Sequence, residues 1–503
     1  MPVYADGATV GDEASFTTVV SQGSVVVKFR SRVAAIGFSA AVVAAGLALP
    51  IATAAASQTC GGTGSVTTVN GKLADGALFK IQCPAGTWNG TLFLYSHGYV
   101  VPGTNNPATD VGDPITGSWM LNHGFALAGS SYATTGWAIQ QALPDQINTL
   151  NRFAGTYQQP ARTIAWGHSL GGIITAGLIQ RYPSRFNAAL PMCGVLSGGV
   201  ATWNTAADAA FAFQQLIDPS VTVVNITNPG ANLTGAIQAA AAAQKTKQGR
   251  ARMALVAALG DTPGWFTPLS PEPGPKNYTA QEANQFDWFS QVDGPFIFAL
   301  RAELEARAGG NASWTTGVNY TSQLAMSADS TEVAALYKAA GLDLSADLAT
   351  LQNATQITAD PSAVQYLEHN VTFDGKISIP VLTMHTTGDG LVVPENEQAY
   401  RSVVRHAGNS SLLRQIFVHR AGHCAFTPAE TITAARGLLH RLDTGHWTGS
   451  ALKAASLNKH AAALGPRFNK FVANGQVVPV APAFIHFTPA PYLRPFNLGN
   501  PIP

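Results

Sequence analysis

Arg162-Thr-Ile-Ala-Trp-Gly-His-Ser-Leu-Gly-Gly172 joins a short apolar run to a helix-like run, Ile173 to Arg181, through the pattern Gly-x-Ser-x-Gly. A serine at such a junction sits on a sharp strand-to-helix turn with its hydroxyl exposed. The flanking glycines remove side chains that would strike the neighbouring backbone. The helix N-terminus behind the turn favours negative charge developing beside the hydroxyl. Ser169 is therefore the candidate nucleophile. A bare Gly-x-Ser-x-Gly arises by chance in a chain with 49 glycines, so the weight rests on the strand before it and the helix after it.

Working outward, the same alternation recurs. Gly64 to Val69 and Ala77 to Gln82 alternate apolar and polar residues around Asn70-Gly71 and read as an antiparallel pair. Thr91 to Tyr95 reads as a buried strand, Ile115 to His123 as a helix, Ala126 to Ser131 as a strand and Ala138 to Phe153 as a helix. Thr163 to Trp166 leads to Ser169, and Ala188 to Met192 is the next strand. Strands alternating with helices imply an α/β fold, a mostly parallel sheet covered on both faces. From about residue 196 to 376 the rhythm stops, and only Val221 to Ile226 reads as a strand. Ala-rich helical segments dominate there, at 202–217, 232–245, 248–259, 279–308, 330–340 and 360–369, with a Pro-rich break at Pro268 to Pro275. Ile377 to His385 and Leu412 to His419 restore strands, and Pro428 to Leu442 a helix. The expected organisation is an N-terminal extension and signal at 1–56, a core in two parts at 57–197 and 377–465, a helical lid or cap at 198–376, and a Pro-rich tail at 466–503 wrapping the surface.

Of the 503 residues 46% are hydrophobic and only 11% charged, enough for a sizeable core. Lys plus Arg number 29 against 28 Asp plus Glu, which gives no electrostatic case for nucleic acid. Lys28-Phe-Arg-Ser-Arg32 followed by the apolar run Val33 to Ala56 has the shape of a secretory signal, with cleavage after Ala54 or Ala56. The 27 residues before Lys28 are unusual for such a signal, and a translation start near Val25 to Val27 would give it its ordinary form. No later run is long and apolar enough to span a bilayer. The four cysteines, Cys60, Cys83, Cys193 and Cys424, suggest two disulfides in an exported chain. Three pairings are open. Cys60–Cys83 is the local choice, which leaves Cys193 with Cys424. No metal-ligand spacing occurs, and no structural zinc or other cofactor is expected.

A serine hydroxyl needs a base, and the base an orienting carboxylate. His423, in Ala421-Gly-His-Cys424 after the last strand, is the candidate base, with His419 as rival. Asp389, in Thr387-Gly-Asp-Gly390 after a strand, is the candidate carboxylate. Glu395 is close but reads as a helix start. His168, beside the serine, and His385, on its strand, read as packing residues. The chain order Ser169, Asp389, His423 resembles that of the α/β-hydrolases. The resemblance spans roughly residues 60–200 and 377–445 and implies acyl transfer at Ser169. It also implies an oxyanion hole from the backbone N–H groups of Leu170 and of Tyr99, the residue after His97-Gly98.

The His423-Cys424 pair is similar to that of the tannase and feruloyl-esterase enzymes, where a disulfide joins cysteines beside the catalytic serine and histidine. Here the residue before the serine is His168, and Cys193 is the expected partner of Cys424. The elbow is also similar to that of lipases and secreted polyester hydrolases. The insertion supplies aromatic residues (Trp203, Trp265, Phe266, Trp288, Phe289, Trp314) for an apolar acyl pocket, though most read as insertion core. The expected function is a secreted carboxylic-ester hydrolase acting on a small-molecule or polymeric ester. A peptidase or amidase of the same fold is the alternative, with Glu282, Asp287, Glu303 and Glu305 as acids that could hold an amine. A non-catalytic binding protein is the third reading.

Overall fold

The computed structural model describes residues 58–473, 476–500 and 502. The expected signal segment lies outside them.

Eleven strands are described: β1 (Thr67–Lys72), β2 (Leu78–Cys83), β3 (Thr91–Ser96), β4 (Ala126–Ser130), β5 (Arg162–His168), β6 (Ala188–Met192), β7 (Val381–Gly388), β8 (Leu413–Ala421), β9 (Lys470–Ala473), β10 (Gln476–Pro479) and β11 (Phe484–Ile485). Nine form one sheet in the order β1-β2-β4-β3-β5-β6-β7-β8-β11. The block β4-β3-β5-β6-β7-β8 is parallel throughout. Antiparallel strands β2 and β11 flank it. This order, with a Gly-x-Ser-x-Gly turn after β5, is the α/β-hydrolase fold.

The central strands are apolar on both faces because both are covered. Leu92, Leu94 and Ala165 pack with the helices Ile139–Thr156, Leu170–Arg181 and Glu395–His406. Phe93, Tyr95 and Trp166 pack with the helices Pro114–Asn122 and Pro428–Thr444 on the other face. Trp166 is fully buried, its ring edge-on to Phe93 and Tyr95 at 5.4 Å.

Three expectations change. The first hairpin does not turn at Asn70-Gly71. Both residues lie inside β1, with Gly71 opposite Phe79, whose ring occupies the space a β-carbon at Gly71 would fill. The turn is Ala74-Asp75-Gly76, closed by the Leu73 N–H donating to the Ala77 carbonyl at 2.7 Å. Second, residues 221–226 form no strand. Val221 and Val223 are instead buried in a separate core of the insertion, with Phe211, Phe213, Leu255 and Phe298. Third, two short insertion helices, Tyr320–Met326 and Leu344–Asn353, escape the sequence reading.

The segment between β6 and β7 is otherwise helical, as its Ala-rich runs predict. Its longest element runs without a break from Tyr278 to Ala308 and contains two π-helical turns, Phe289–Asp293 and Phe296–Leu300. The tail also does more than wrap the surface. Phe484 pairs with Val418 at the sheet edge, and Tyr492, Leu493 and Phe496 are buried. No helix among the described residues is long and apolar enough to cross a membrane.

Candidate active site

Ser169 follows β5 with φ 58° and ψ −124°, a left-handed backbone that costs energy in a non-glycine residue. Close packing holds it there. A β-carbon on Gly171 would lie 1.9 Å from the Ser96 carbonyl oxygen, and one on Gly167 2.4 Å from the same atom. Only glycine fits at either position. The Ser169 N–H donates to the Met192 carbonyl at 3.0 Å, and the Gly172 N–H returns to the Ser169 carbonyl at 2.8 Å.

His423 reaches this turn from the loop after β8. Gly422 (φ 100°) and Cys424 (φ 52°) bend the chain back over the sheet. The His423 Nε2 lies 2.7 Å from Ser169 Oγ, and its Nδ1 lies 2.8 Å from Asp389 Oδ2 and 3.0 Å from Oδ1. Asp389 is fully buried and also accepts the Val392 N–H at 3.0 Å. Three side chains from three distant segments thus form one hydrogen-bonded line. Cys424 is disulfide-bonded to Cys193, at the end of β6, and Cys60 to Cys83. The first bond ties the histidine loop to the strand beside the serine.

Around Asp389 lies a buried network that the sequence did not reveal. His385, on β7, has Nδ1 3.2 Å from Glu397 Oε1, Nε2 2.7 Å from the Val392 carbonyl and Nε2 3.7 Å from Asp389 Oδ2. Glu397 also accepts from Thr383 and Gln415, each at 2.5 Å. Burial pushes His385 towards the neutral form, but the Glu397 hydrogen bond and charge, with Asp389 behind, hold it above the ordinary histidine value. Trp288 presses on the same loop, where a β-carbon at Gly390 would strike its ring at 2.4 Å.

On the opposite side of Ser169 runs His97-Gly98-Tyr99. The Tyr132 hydroxyl donates to the His97 carbonyl at 3.0 Å, and the two rings stack at 4.0 Å. A β-carbon on Gly98 would be 3.4 Å from Ser169 Cβ, so this loop's backbone passes directly beside the nucleophile candidate. Leu170 is the first residue of its helix, so its N–H has no acceptor within the helix.

Ser169, Leu170 and Tyr99 open onto a cavity of about 120 Å³. Its walls include Trp137, Val195, Trp203, Ile297, Phe296 and Tyr492. Of the six insertion aromatics named from the sequence, only Trp203 lines it. Trp288 packs on the loop of Asp389 and Trp265 on the His419 ring of β8, and Phe289 and Trp314 belong to buried clusters. Tyr492, Phe296, Asn396 and Asp293 line the cavity without having been anticipated.

The rival residues sit elsewhere. His419 lies 3.1 Å from Glu272 and 3.2 Å from the Thr387 hydroxyl. Glu395 begins the helix Glu395–His406, as expected. His168 is 3.1 Å from the Tyr95 hydroxyl, and burial, with the nearby His423 charge, lowers it to about 4.

No family model matches the chain. It is similar to an o-phthalyl amidase of Xanthobacter agilis, with 28% identity over 410 residues, 75% of this chain and 87% of that protein. Among solved structures it is similar to the rice cell wall degrading esterase LipA from Xanthomonas oryzae (12% identity, TM-score 0.34, 75% of this chain and 89% of that one). It is also similar to feruloyl esterase B from Aspergillus oryzae (12% identity, TM-score 0.34, 76% and 80%). A Pyrococcus horikoshii acylaminoacyl peptidase (8% identity, TM-score 0.33) matches over 71% of this chain, which spans 37% of that one.

Proposed function

We propose that the protein is a secreted serine hydrolase that transfers a compact acyl group from an ester to Ser169 and then to water. The observation carrying this reading is the hydrogen-bonded line from Ser169 Oγ through His423 to Asp389. In the forward step His423 Nε2 takes the hydroxyl proton as Oγ attacks the carbonyl carbon. The carbonyl oxygen becomes an oxyanion, and the N–H groups of Leu170 and Tyr99 receive it. Asp389 holds Nδ1–H and stabilises the imidazolium without itself taking the proton. His423 then protonates the leaving group, and the acyl-enzyme forms. Water, deprotonated by the same nitrogen, releases the acid.

Acyl size follows from the cavity. An apolar cavity of about 150 Å³ accepts a benzene ring. One of about 120 Å³ walled by Trp137, Trp203, Phe296 and Ile297 suits a single ring or a short chain. The insertion covers the site as a cap and supplies Trp203, Phe296 and Ile297. Two disulfides fit an exported chain. Two core parts, residues 57–197 and 377–465, flank the cap at 198–376, and the tail at 466–503 follows.

A second reading, amide hydrolysis, is favoured by the o-phthalyl amidase likeness. The same residues serve it, with protonation of the departing nitrogen by His423 as the harder demand. Matched benzoyl substrates carrying p-nitrophenol or p-nitroaniline separate the two. Fast release of p-nitrophenol with negligible release of p-nitroaniline supports an esterase, and comparable release of both an amidase.

A further inference from the structure

The cavity beside Ser169 holds one acid whose role the hydrolytic cycle does not explain. Asp293 lines it, at the junction of the two π-helical turns that also present Phe296 and Ile297. Such turns widen a helix by one residue and recur at functional sites. Among the described residues the Asp293 side chain has no hydrogen bond or ion pair, and no lysine or arginine lines the cavity.

The acids named from the sequence are all engaged elsewhere. Glu282 is paired with Arg250 at 2.8 Å, Glu303 with Arg307 and the Trp137 N–H, and Asp287 with Gln291. Glu305 accepts the Ile226 N–H at 3.3 Å and faces Arg301. None of the four lines the cavity.

We propose that Asp293 is a recognition site for a protonated amine carried on the acyl group, so that the preferred substrates are amino-bearing acyl derivatives. The proposal rests on the reading of Ser169 as the nucleophile. The one acid in a chamber that no lysine or arginine lines offers a cation its one charged partner. A carboxylate entering the same space would meet Asp293 and, behind it, Asp389. Burial first, and the Asp389 charge second, hold the Asp293 carboxyl well above the ordinary carboxylate range. An arriving ammonium opposes both effects and draws the carboxyl into its ionised form.

The test uses the full chain and small probes. The rate at which a fluorophosphonate labels Ser169 is measured with benzylamine, benzyl alcohol or benzoate as protectant. Benzylamine is expected to protect at a concentration at least about tenfold below benzyl alcohol, with benzoate weakest. In Asp293→Asn that preference is lost. Equal protection by amine and alcohol in the wild type overturns the proposal without needing any variant. Stronger protection by benzoate, or a preference that survives in a folded Asp293→Asn, overturns it too. If Ser169 does not label at all, the nucleophile reading fails instead. The amine preference is then read from quenching of Trp137 and Trp203 fluorescence by the same probes.

Discussion

His385 Nε2 stands 3.7 Å from Asp389 Oδ2, while both of its ring nitrogens meet acceptors: Glu397 Oε1 on one side and the Val392 carbonyl on the other. A doubly protonated ring donates to both acceptors. The Glu397 hydrogen bond and charge, with Asp389 behind, favour that imidazolium against the pull of burial. In its protonated form the ring sets a positive charge beside the carboxylate that meets His423.

Removing that charge should weaken Asp389. His385→Gln is expected to lower kcat/KM about tenfold, equivalent to about 1.4 kcal/mol of transition-state stabilisation. The same change alters stability against pH. A histidine held above its unfolded value contributes stability fully below about pH 6.5 and loses it as pH rises through the folded value. The wild-type thermal midpoint should therefore fall on the alkaline side more steeply than that of His385→Gln.

Asp145 gives the opposite experiment. Burial first, and then the hydrogen bond and charge of Asp75, raise it to about 8, while that shared hydrogen bond lowers Asp75. A raised acid favours the fold at low pH and loses that contribution as pH climbs from about 4 towards its folded value. Asp145→Asn keeps an acceptor for the Ala133 N–H and removes the titration. Its thermal midpoint should match the wild type at pH 4 and exceed it by a few degrees at pH 8.

The two disulfides should separate in function. Cys193 with Cys424 holds the histidine loop, whereas Cys60 with Cys83 ties the start of the described chain to β2. Replacing the first pair with serine is expected to lower kcat at least tenfold and stability by about 2–5 kcal/mol. Replacing the second pair should cost stability alone. Steady-state kinetics beside denaturant melts distinguish the two.

The tail should set acyl length. Tyr492 lines the cavity and accepts from the Thr205 hydroxyl at 3.2 Å. Arg494 grips Asp208 through two contacts of 2.6 Å, and Phe496 meets Trp314 at 5.8 Å. The tail thus bolts the insertion and closes the cavity wall. Tyr492→Ala should raise the kcat/KM ratio of naphthoyl to benzoyl esters about tenfold or more, read from a panel of p-nitrophenyl esters.

The elbow and the partners of Ser169 were legible because each lies at a strand end marked by glycine, where local sequence dictates the turn. The parallel block was legible for the same reason: apolar runs alternate with helical spacing. The Phe79 ring over Gly71 was not, since it depends on a cross-strand register that no local pattern states. His385 was read as a packing residue because its neighbours Glu397 and Asp389 meet it only in three dimensions. Asp293 was hidden by its surroundings in sequence, where Gln291, Asp287 and Gly294 give it the look of a solvated helix face. The π-helical turns on either side of Gly294 and Pro295 leave no periodic trace. Tyr492 came from a tail whose prolines suggested surface, and the contacts that hold it inward, with Thr205, Gln398 and Asp208, are all distant in the chain.

The most direct measurement is mass spectrometry of protein quenched during turnover of p-nitrophenyl benzoate. One benzoyl group on the peptide containing Ser169, absent from Ser169→Ala together with several orders of magnitude of turnover, is the predicted result. A benzoyl group on another residue, or undiminished turnover by Ser169→Ala, would contradict the account.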